Sequence, residues 1–269
     1  MVAGCTDFSL EITQRLKQFT QIISISNIRE LDYIEQRDGQ WCIGAGCSIA
    51  TLLDTLGPMN SDIEDLLYRY GSTQVRNKAT VGGNIGNASP IGDLPPLFIA
   101  LKADVVLQSA QAERVIPLES FFIDYKKTAL QADEIVCEIR FNSSALDSGN
   151  TVLKVYKISK RIDDDISSVC AVFYCPDSKA KSILLTAAFG GMAAIPKRAQ
   201  ALENAVANNP EDFQLIAQAL EKDFQPISDA RASAEYRVSM ANNLYRKFLL
   251  ELKQPEATHR LHNLGVEHA

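Results

Sequence analysis

Ala79-Thr80-Val81-Gly82-Gly83-Asn84-Ile85-Gly86-Asn87-Ala88-Ser89-Pro90-Ile91-Gly92-Asp93-Leu94-Pro95-Pro96 is the run that organises the chain. Its glycines let the backbone come close to a ligand where a side chain would block it. Asn84, Asn87, Ser89 and Asp93 set short polar groups among them, each able to bond a backbone or a ligand. Asp93, followed by Pro95 and the apolar run Leu97-Phe98-Ile99-Ala100-Leu101, predicts a helix N-cap with proline in the first turn. A glycine-rich loop that runs into a helix start is a place where amides can face a phosphate. The other reading of the same residues is a tight surface turn.

Composition narrows the class. The 269 residues suffice for one large domain or two small ones, and an apolar fraction of 46% is that of a globular protein. A net charge of −6 argues against nucleic acid, whose binding needs a basic face. No apolar run approaches the roughly 20 residues that span a bilayer, so no membrane partner is expected. Met1 to Leu10 has neither a basic n-region nor a cleavage site, so no secretory signal is expected. The 6 cysteines (Cys5, Cys42, Cys47, Cys137, Cys170, Cys175) contain no C-x-x-C pair and cannot supply the closely spaced thiolates of a ferredoxin-like cluster. Reduced thiols and a cytoplasmic location are the expectation.

Along the chain, Phe8, Ile12, Leu16 and Phe19 fall at helical spacing and predict an amphipathic helix over Ser9 to Phe19. Gln21 to Ile25 reads as a short strand. Leu31 to Gln36 and Trp41 to Ala45 flank Asp38-Gly39, a hairpin signal. Gly44-Ala45-Gly46 begins like a Rossmann fingerprint, but Ile49 occupies the third glycine's place, which excludes that fold. Ser48 caps a helix through Leu56, and Ser61 to Tyr70 forms another. Ala103 to Ser109, Arg114 to Pro117 and Glu134 to Phe141 are strands. Asn142 to Asn150 is polar and aperiodic, a linker. Beyond it, strands over Val152 to Ile158, Ser168 to Cys175 and Ser182 to Phe189 precede helices over Ala199 to Ala207, Asp212 to Leu220 and Ala234 to Leu252. Three antiparallel strands packed on a helix layer make an α+β arrangement. His259, His262 and His268 lie in a tail without an acid or cysteine set around them, and no metal site is assigned to them.

Two segments carry a family resemblance. The run from Ala79 to Pro96 resembles the second flavin-binding segment of the molybdenum hydroxylase flavoproteins, the FAD components of xanthine dehydrogenases and carbon monoxide dehydrogenases. Met1-Val2-Ala3-Gly4-Cys5-Thr6-Asp7-Phe8 resembles their first FAD segment, Val-Ala-Gly-Gly-Thr-Asp-Leu, with Cys5 in place of a glycine. The resemblance implies an α+β fold: a FAD-binding domain of the PCMH/CO dehydrogenase flavoprotein type over 1–145, a CO dehydrogenase flavoprotein C-terminal-like domain over 151–254, and a tail over 255–269.

It also implies a cofactor site. FAD contacts are expected from Met1, Val2, Ala3, Gly4, Cys5, Thr6, Asp7 and Phe8, and from Ala79, Thr80, Gly82, Gly83, Asn84, Asn87, Ser89 and Asp93. Tyr70 matches an aromatic beside the flavin ring, Val136 and Cys137 match apolar atoms behind it, and Lys157 matches a lysine at the flavin. Asp164, in the run Lys160-Arg161-Ile162-Asp163-Asp164-Asp165, matches an acid in a loop over the flavin face, where NAD gains access. By this resemblance the chain takes electrons from iron–sulfur clusters and passes hydride to NAD⁺ in a xanthine dehydrogenase-like enzyme of purine catabolism. The partners are a molybdenum-binding large subunit with the molybdenum cofactor and a [2Fe-2S] domain or subunit, in a hetero-oligomer. The alternatives are the medium FAD subunit of a carbon monoxide or aldehyde dehydrogenase relative, and a flavin-free scaffold subunit. Relatives carry a strand–helix–strand unit before the first FAD segment, so Met1 to Gly4 is expected to lack sheet neighbours and to fray.

Overall fold

The computed structural model describes residues 1–147 and 149–255. The chain opens with a six-residue helix, α1 (Phe8–Thr13), then forms β1 (Ile34–Arg37) and β2 (Gln40–Gly44). Asp38 and Gly39 between them both have positive φ, 53° and 74°, as a two-residue hairpin turn that follows strand twist requires. Next come α2 (Ile49–Leu56), α3 (Ser61–Tyr68), α4 (Thr73–Arg76), α5 (Val81–Asn87) and α6 (Leu94–Ala100). The strands β3 (Asp104–Gln108) and β4 (Glu113–Pro117), the small pair β5 (Phe122–Asp124) and β6 (Lys127–Thr128), and β7 (Ile135–Asn142) complete this half. The sheet order is β1-β2-β7-β3-β4, antiparallel throughout.

The second half holds β8 (Val152–Ile158), β9 (Val169–Cys175), β10 (Thr186–Gly190) and the two-residue β11 (Lys197–Arg198), ordered β11-β10-β9-β8. Then follow α7 (Gln200–Asn208), α8 (Phe213–Asp223) and α9 (Ala234–Lys253). Both faces of this sheet are covered. Leu153, Val155, Cys170, Val172 and Ala188 join the core of the first half, while Tyr156, Ala171, Phe173, Ala187 and Phe189 pack with α7, α8 and α9. Phe173 stacks on Phe248 of α9 with centroids 4.9 Å apart. Double burial explains why Val169 to Phe173 reads as an unbroken apolar run instead of an alternating one. α6 is buried along its whole length against β9 and β10 and ties the two halves. Among the described residues no helix is long and apolar enough to cross a membrane.

Several expectations change. The helix expected to reach Phe19 stops at Thr13: Leu10, Ile12 and Leu16 are exposed, and Phe19, also exposed, folds back on the Phe8 ring with centroids 4.7 Å apart instead of extending the helix. A short helix without a buried face does not propagate. The strand over Gln21 to Ile25 reduces to one parallel bridge between Ser24 and Val2. That bridge also corrects the expectation that the N-terminus frays. Val2 N donates to Ile23 O and Ile25 N to Val2 O, both at 2.9 Å, and Ser26 Oγ holds Ala3 O at 2.7 Å. The linker after Asn142 contains a 3-10 turn, Ser143–Leu146, with Ala145 and Leu146 buried. Short β11 extends the expected three-stranded sheet. The three histidines of the tail lie outside the described residues.

The glycine run differs most. Its first half is the helix α5, not a loop: Thr80 is the N-cap, accepting from Gly83 N at 3.0 Å. Glycine disfavours a helix by about 1 kcal/mol per residue relative to alanine, so tertiary packing must hold this one. Val81 and Ile85, four apart, are buried on one face, and a Cβ on Gly82 would fall 2.5 Å from the Ala45 side chain. Asp93 caps nothing; its carboxylate turns inward to Lys157 and Ser167.

Candidate functional site

A cleft of about 610 Å³ opens between residues 1–8, the cleft side of α5 and the start of β7, within the size range of cofactor sites. Three hydrogen bonds set its frame. Ala45 N donates to Cys137 O at 2.8 Å, Gly82 N donates to Ala45 O at 2.8 Å, and Ile49 N donates to Ala79 O at 3.0 Å. Together they fix α5 against β7 and α2.

The N-terminal wall uses every residue from Met1 to Phe8. Gly4 presses so closely on Lys78 that a Cβ there would stand 1.6 Å from its carbonyl oxygen. Cys5 follows in the left-handed region at φ 62°, where a side chain is strained. Among the described residues the amides of Gly4, Cys5, Thr6 and Asp7 donate to no protein acceptor. Such a row of free donors suits an anionic group such as a pyrophosphate.

Across the cleft, Ala79, Thr80, Gly82, Gly83, Asn84, Gly86 and Asn87 form the second wall. Gly83 and Gly86, three apart, share a face of α5. A Cβ on Gly86 would meet nothing within 4 Å, and one on Gly83 would meet only the Thr80 hydroxyl. These are bare backbone surfaces open to a ligand. Asn84 Nδ2 donates to Tyr70 Oη at 2.9 Å, whereas its Oδ1 is buried without a partner. Burial pushes the Tyr70 phenol up to about 12, so it stays protonated.

The floor is the start of β7, with Glu134, Ile135 and Val136. Arg114 binds Glu134 in a fork, Nε–Oε1 2.5 Å and Nη2–Oε2 2.8 Å, and that bond, aided by the Gln131 amide, holds the carboxyl down to about 2. Glu11, Arg15, Lys17 and Lys126 stand at the rim, where Glu11 pairs with Arg15 at 2.7 Å and also with Lys17. Sequence reading missed these rim residues, Glu134 and Gly86. Gly86 had a signal, its three-residue offset from Gly83; the rim charges had none, because Glu11, Arg15 and Lys17 lie in and just after α1 and Lys126 lies between β5 and β6, and only the fold brings them together.

Other expected contacts lie off the cleft. Ser89 shapes the next turn, its carbonyl accepting from Gly92 N at 3.1 Å. Cys137 is the extra residue of a β-bulge, since Val106 pairs with Glu138 and Leu107 with Val136, and only its carbonyl reaches the frame. Asp93 and Lys157 bind each other at 2.7 Å, both buried. Asp164 sits in an exposed loop at φ 46°. Among the described residues no group of three or more His, Cys, Asp or Glu could hold a metal ion.

The residues fit FAD: open glycine faces, a row of unpaired amides and an unpartnered Asn84 oxygen line one cleft. Residues 1–142 match the family model described as FAD binding domain in molybdopterin dehydrogenase, and 154–252 match the CO dehydrogenase flavoprotein C-terminal domain. The chain is 30% identical over 275 residues to xanthine dehydrogenase of Emericella nidulans, covering 96% of this chain and 20% of that protein. It thus spans about a fifth of the length of that relative. A putative xanthine dehydrogenase FAD-binding subunit XdhB of Escherichia coli is 26% identical, with 93% and 87% of the two chains covered. Among solved structures, a carbon monoxide dehydrogenase chain from Hydrogenophaga pseudoflava superposes with a TM-score of 0.83 at 25% identity, covering 91% of this chain and 86% of that one. The chain therefore belongs to the family described as FAD binding domain in molybdopterin dehydrogenase.

Proposed function

We propose that this chain binds FAD in the cleft between residues 1–8 and α5, and serves as the electron-transfer component of a xanthine dehydrogenase-like molybdenum hydroxylase. The observation that carries the reading is the pairing of free amides at Gly4 to Asp7 with the open glycine face of α5. The amides would bind the pyrophosphate, and Thr80, Gly83, Asn84, Gly86 and Asn87 would border the rest of the cofactor. Tyr70, held by Asn84, would orient the ring, and Val136 would pack behind it. When bound, FAD supplies the redox chemistry, accepting electrons from iron–sulfur clusters and giving hydride to NAD⁺. Ser89, Asp93, Cys137 and Lys157 shape the surroundings of the cleft, and Asp164 lies on a loop that would govern NAD access.

The same reading divides the chain into domains over 1–145 and 151–254, and assigns the molybdenum cofactor and the [2Fe-2S] clusters to partner subunits of a cytoplasmic hetero-oligomer. A titration of FAD into the purified chain tests the cofactor assignment: stoichiometric uptake with quenching of flavin fluorescence is expected, and a chain that stays colourless at saturating FAD overturns it. Acceptor use is tested on the assembled enzyme. NADH formation is expected, and its absence would favour the alternative that the likeness to carbon monoxide dehydrogenase supports, a medium FAD subunit serving another acceptor.

A further inference from the structure

Tyr70 is held from its backbone and from its hydroxyl. It follows α3 in a turn that buried Arg76 clamps: Nη1 donates to Tyr68 O at 2.7 Å and Gly71 O at 2.8 Å, and Nη2 donates to Thr73 Oγ1 at 3.1 Å. Gly71 permits the turn with φ 52°, and a Cβ there would stand 2.8 Å from the Val75 side chain. The half-buried ring packs against the core of the first half and lines the cleft. Phenylalanine would serve that packing as well, so the hydroxyl needs its own reason.

That hydroxyl is half satisfied. A phenol oxygen accepts through its lone pairs and donates through its one proton. Asn84 Nδ2, which can only donate, takes the accepting side at 2.9 Å. Among the described residues no protein acceptor takes the proton. Asp93, whose charge reaches the phenol, has its carboxylate bound to Lys157 and Ser167. Asn84 is itself fixed on α5, its backbone N donating to Thr80 O at 2.9 Å. Water can take the free proton while the cleft is open to solvent. An occupant that displaces the water must offer an acceptor or forfeit the bond.

We infer that the Tyr70 hydroxyl donates a hydrogen bond to an acceptor atom of the bound cofactor, so that Tyr70 selects its ligand by a polar contact as well as by its ring. The inference rests on the reading that the cleft takes FAD. FAD offers this donor two kinds of acceptor, the carbonyl and imine atoms of the flavin ring and the hydroxyls of the ribityl chain.

FAD titrations of the full chain, followed by flavin fluorescence, test the inference without any turnover. Tyr70→Phe removes the donor and should weaken binding by about three- to ten-fold, the worth of one neutral hydrogen bond. It also deprives Asn84 of its acceptor, so a second variant separates the two roles. In Tyr70→3-fluorotyrosine the phenol is a stronger donor and a poorer acceptor. Burial, which pushes the tyrosine phenol up to about 12, keeps the more acidic one protonated at neutral pH as well. Donation to FAD predicts tighter binding than wild type, whereas support of Asn84 alone predicts equal or weaker binding. Visible absorption bands that shift along the series assign the acceptor to the ring. Constant bands with the same order of affinities assign it to the ribityl chain, and either result supports donation. If Tyr70→Phe does not fold, the fluorinated variant decides by its sign. Unchanged affinity in Tyr70→Phe, or no gain on fluorination, overturns the inference and leaves the cofactor reading standing. A wild type that binds no FAD overturns the cofactor reading and the inference with it.

Discussion

Lys157 Nζ lies 2.7 Å from Asp93 Oδ2 in a buried ion pair that joins β8 to the start of α6. Ser167 Oγ at 2.5 Å and the Arg69 carbonyl at 2.9 Å complete its hydrogen bonding. A buried pair is costly to half-remove, because the remaining charge keeps no counter-ion in a poorly solvating interior. Lys157→Met should destabilise the chain by about 3–5 kcal/mol. A Lys157→Met/Asp93→Leu double variant should regain part of that loss, since no lone charge stays buried. Urea unfolding of both variants measures the difference. Equal stability of the single variant and the wild type would mean that the pair is solvated in solution.

Asp93 also shows where sequence reading stops. Its place before Pro95 and an apolar run predicts the start of α6 correctly, yet its carboxylate serves a partner 64 positions away instead of the helix end. Local grammar located α2, α3, α7, α8 and α9, whose apolar stripes lie within one segment, as do the side-chain N-caps of all but α7. The glycine face of the candidate site was legible for a similar reason, since open backbone needs glycine. Helix α5 was not, because Val81, Gly82 and Ile85 become helical only through what they pack against. The helix over Ser9 to Phe19 failed the opposite way: its periodicity was present, and a surface to bury it was not.

Gly86→Leu separates cofactor binding from folding. The Cβ position is open, so the protein does not resist the side chain, and leucine favours a helix over glycine by about 0.5–1 kcal/mol. The variant should melt at or above the wild-type temperature and yet lose FAD, whose space the side chain fills. Thermal unfolding paired with FAD titration checks this. Retained FAD would move the cofactor off this face of α5.

Glu134 should make stability depend on pH at the acid end. Arg114 holds its folded-state carboxyl down at about 2, below the roughly 4.3 of an unfolded chain. A depressed pKa contributes stability that is complete above the unfolded value and is lost as pH falls toward the folded one. Glu134→Gln should therefore be less stable at neutral pH, and should show a shallower decline between about pH 4.3 and the low end. Denaturation midpoints for both proteins over that interval give the comparison; parallel curves would show that the Arg114 bond is screened.

Cys5 offers the sharpest test of the N-terminal wall. It holds φ 62° between Gly4, which cannot bear a side chain, and the free amides of Thr6 and Asp7. An L-residue in that conformation costs roughly 1–2 kcal/mol, which glycine avoids. Glycine returns some of the gain through a freer unfolded chain, so the net stabilisation of Cys5→Gly should be about 1 kcal/mol or less. The wall must hold its turn for its amides to converge on one anion. Relief of the strain should thus tighten FAD binding by up to about five-fold, the factor that corresponds to 1 kcal/mol. A β-branched residue acts in the other direction, because it crowds the left-handed region further. FAD titrations of the series should therefore rank glycine tightest, cysteine and alanine together in the middle, and valine weakest. Thiol chemistry cannot produce that order, since alanine has no thiol and should match cysteine. If all four bind FAD equally, the turn at Cys5 does not meet the cofactor and the amides of Gly4 to Asp7 serve no anion.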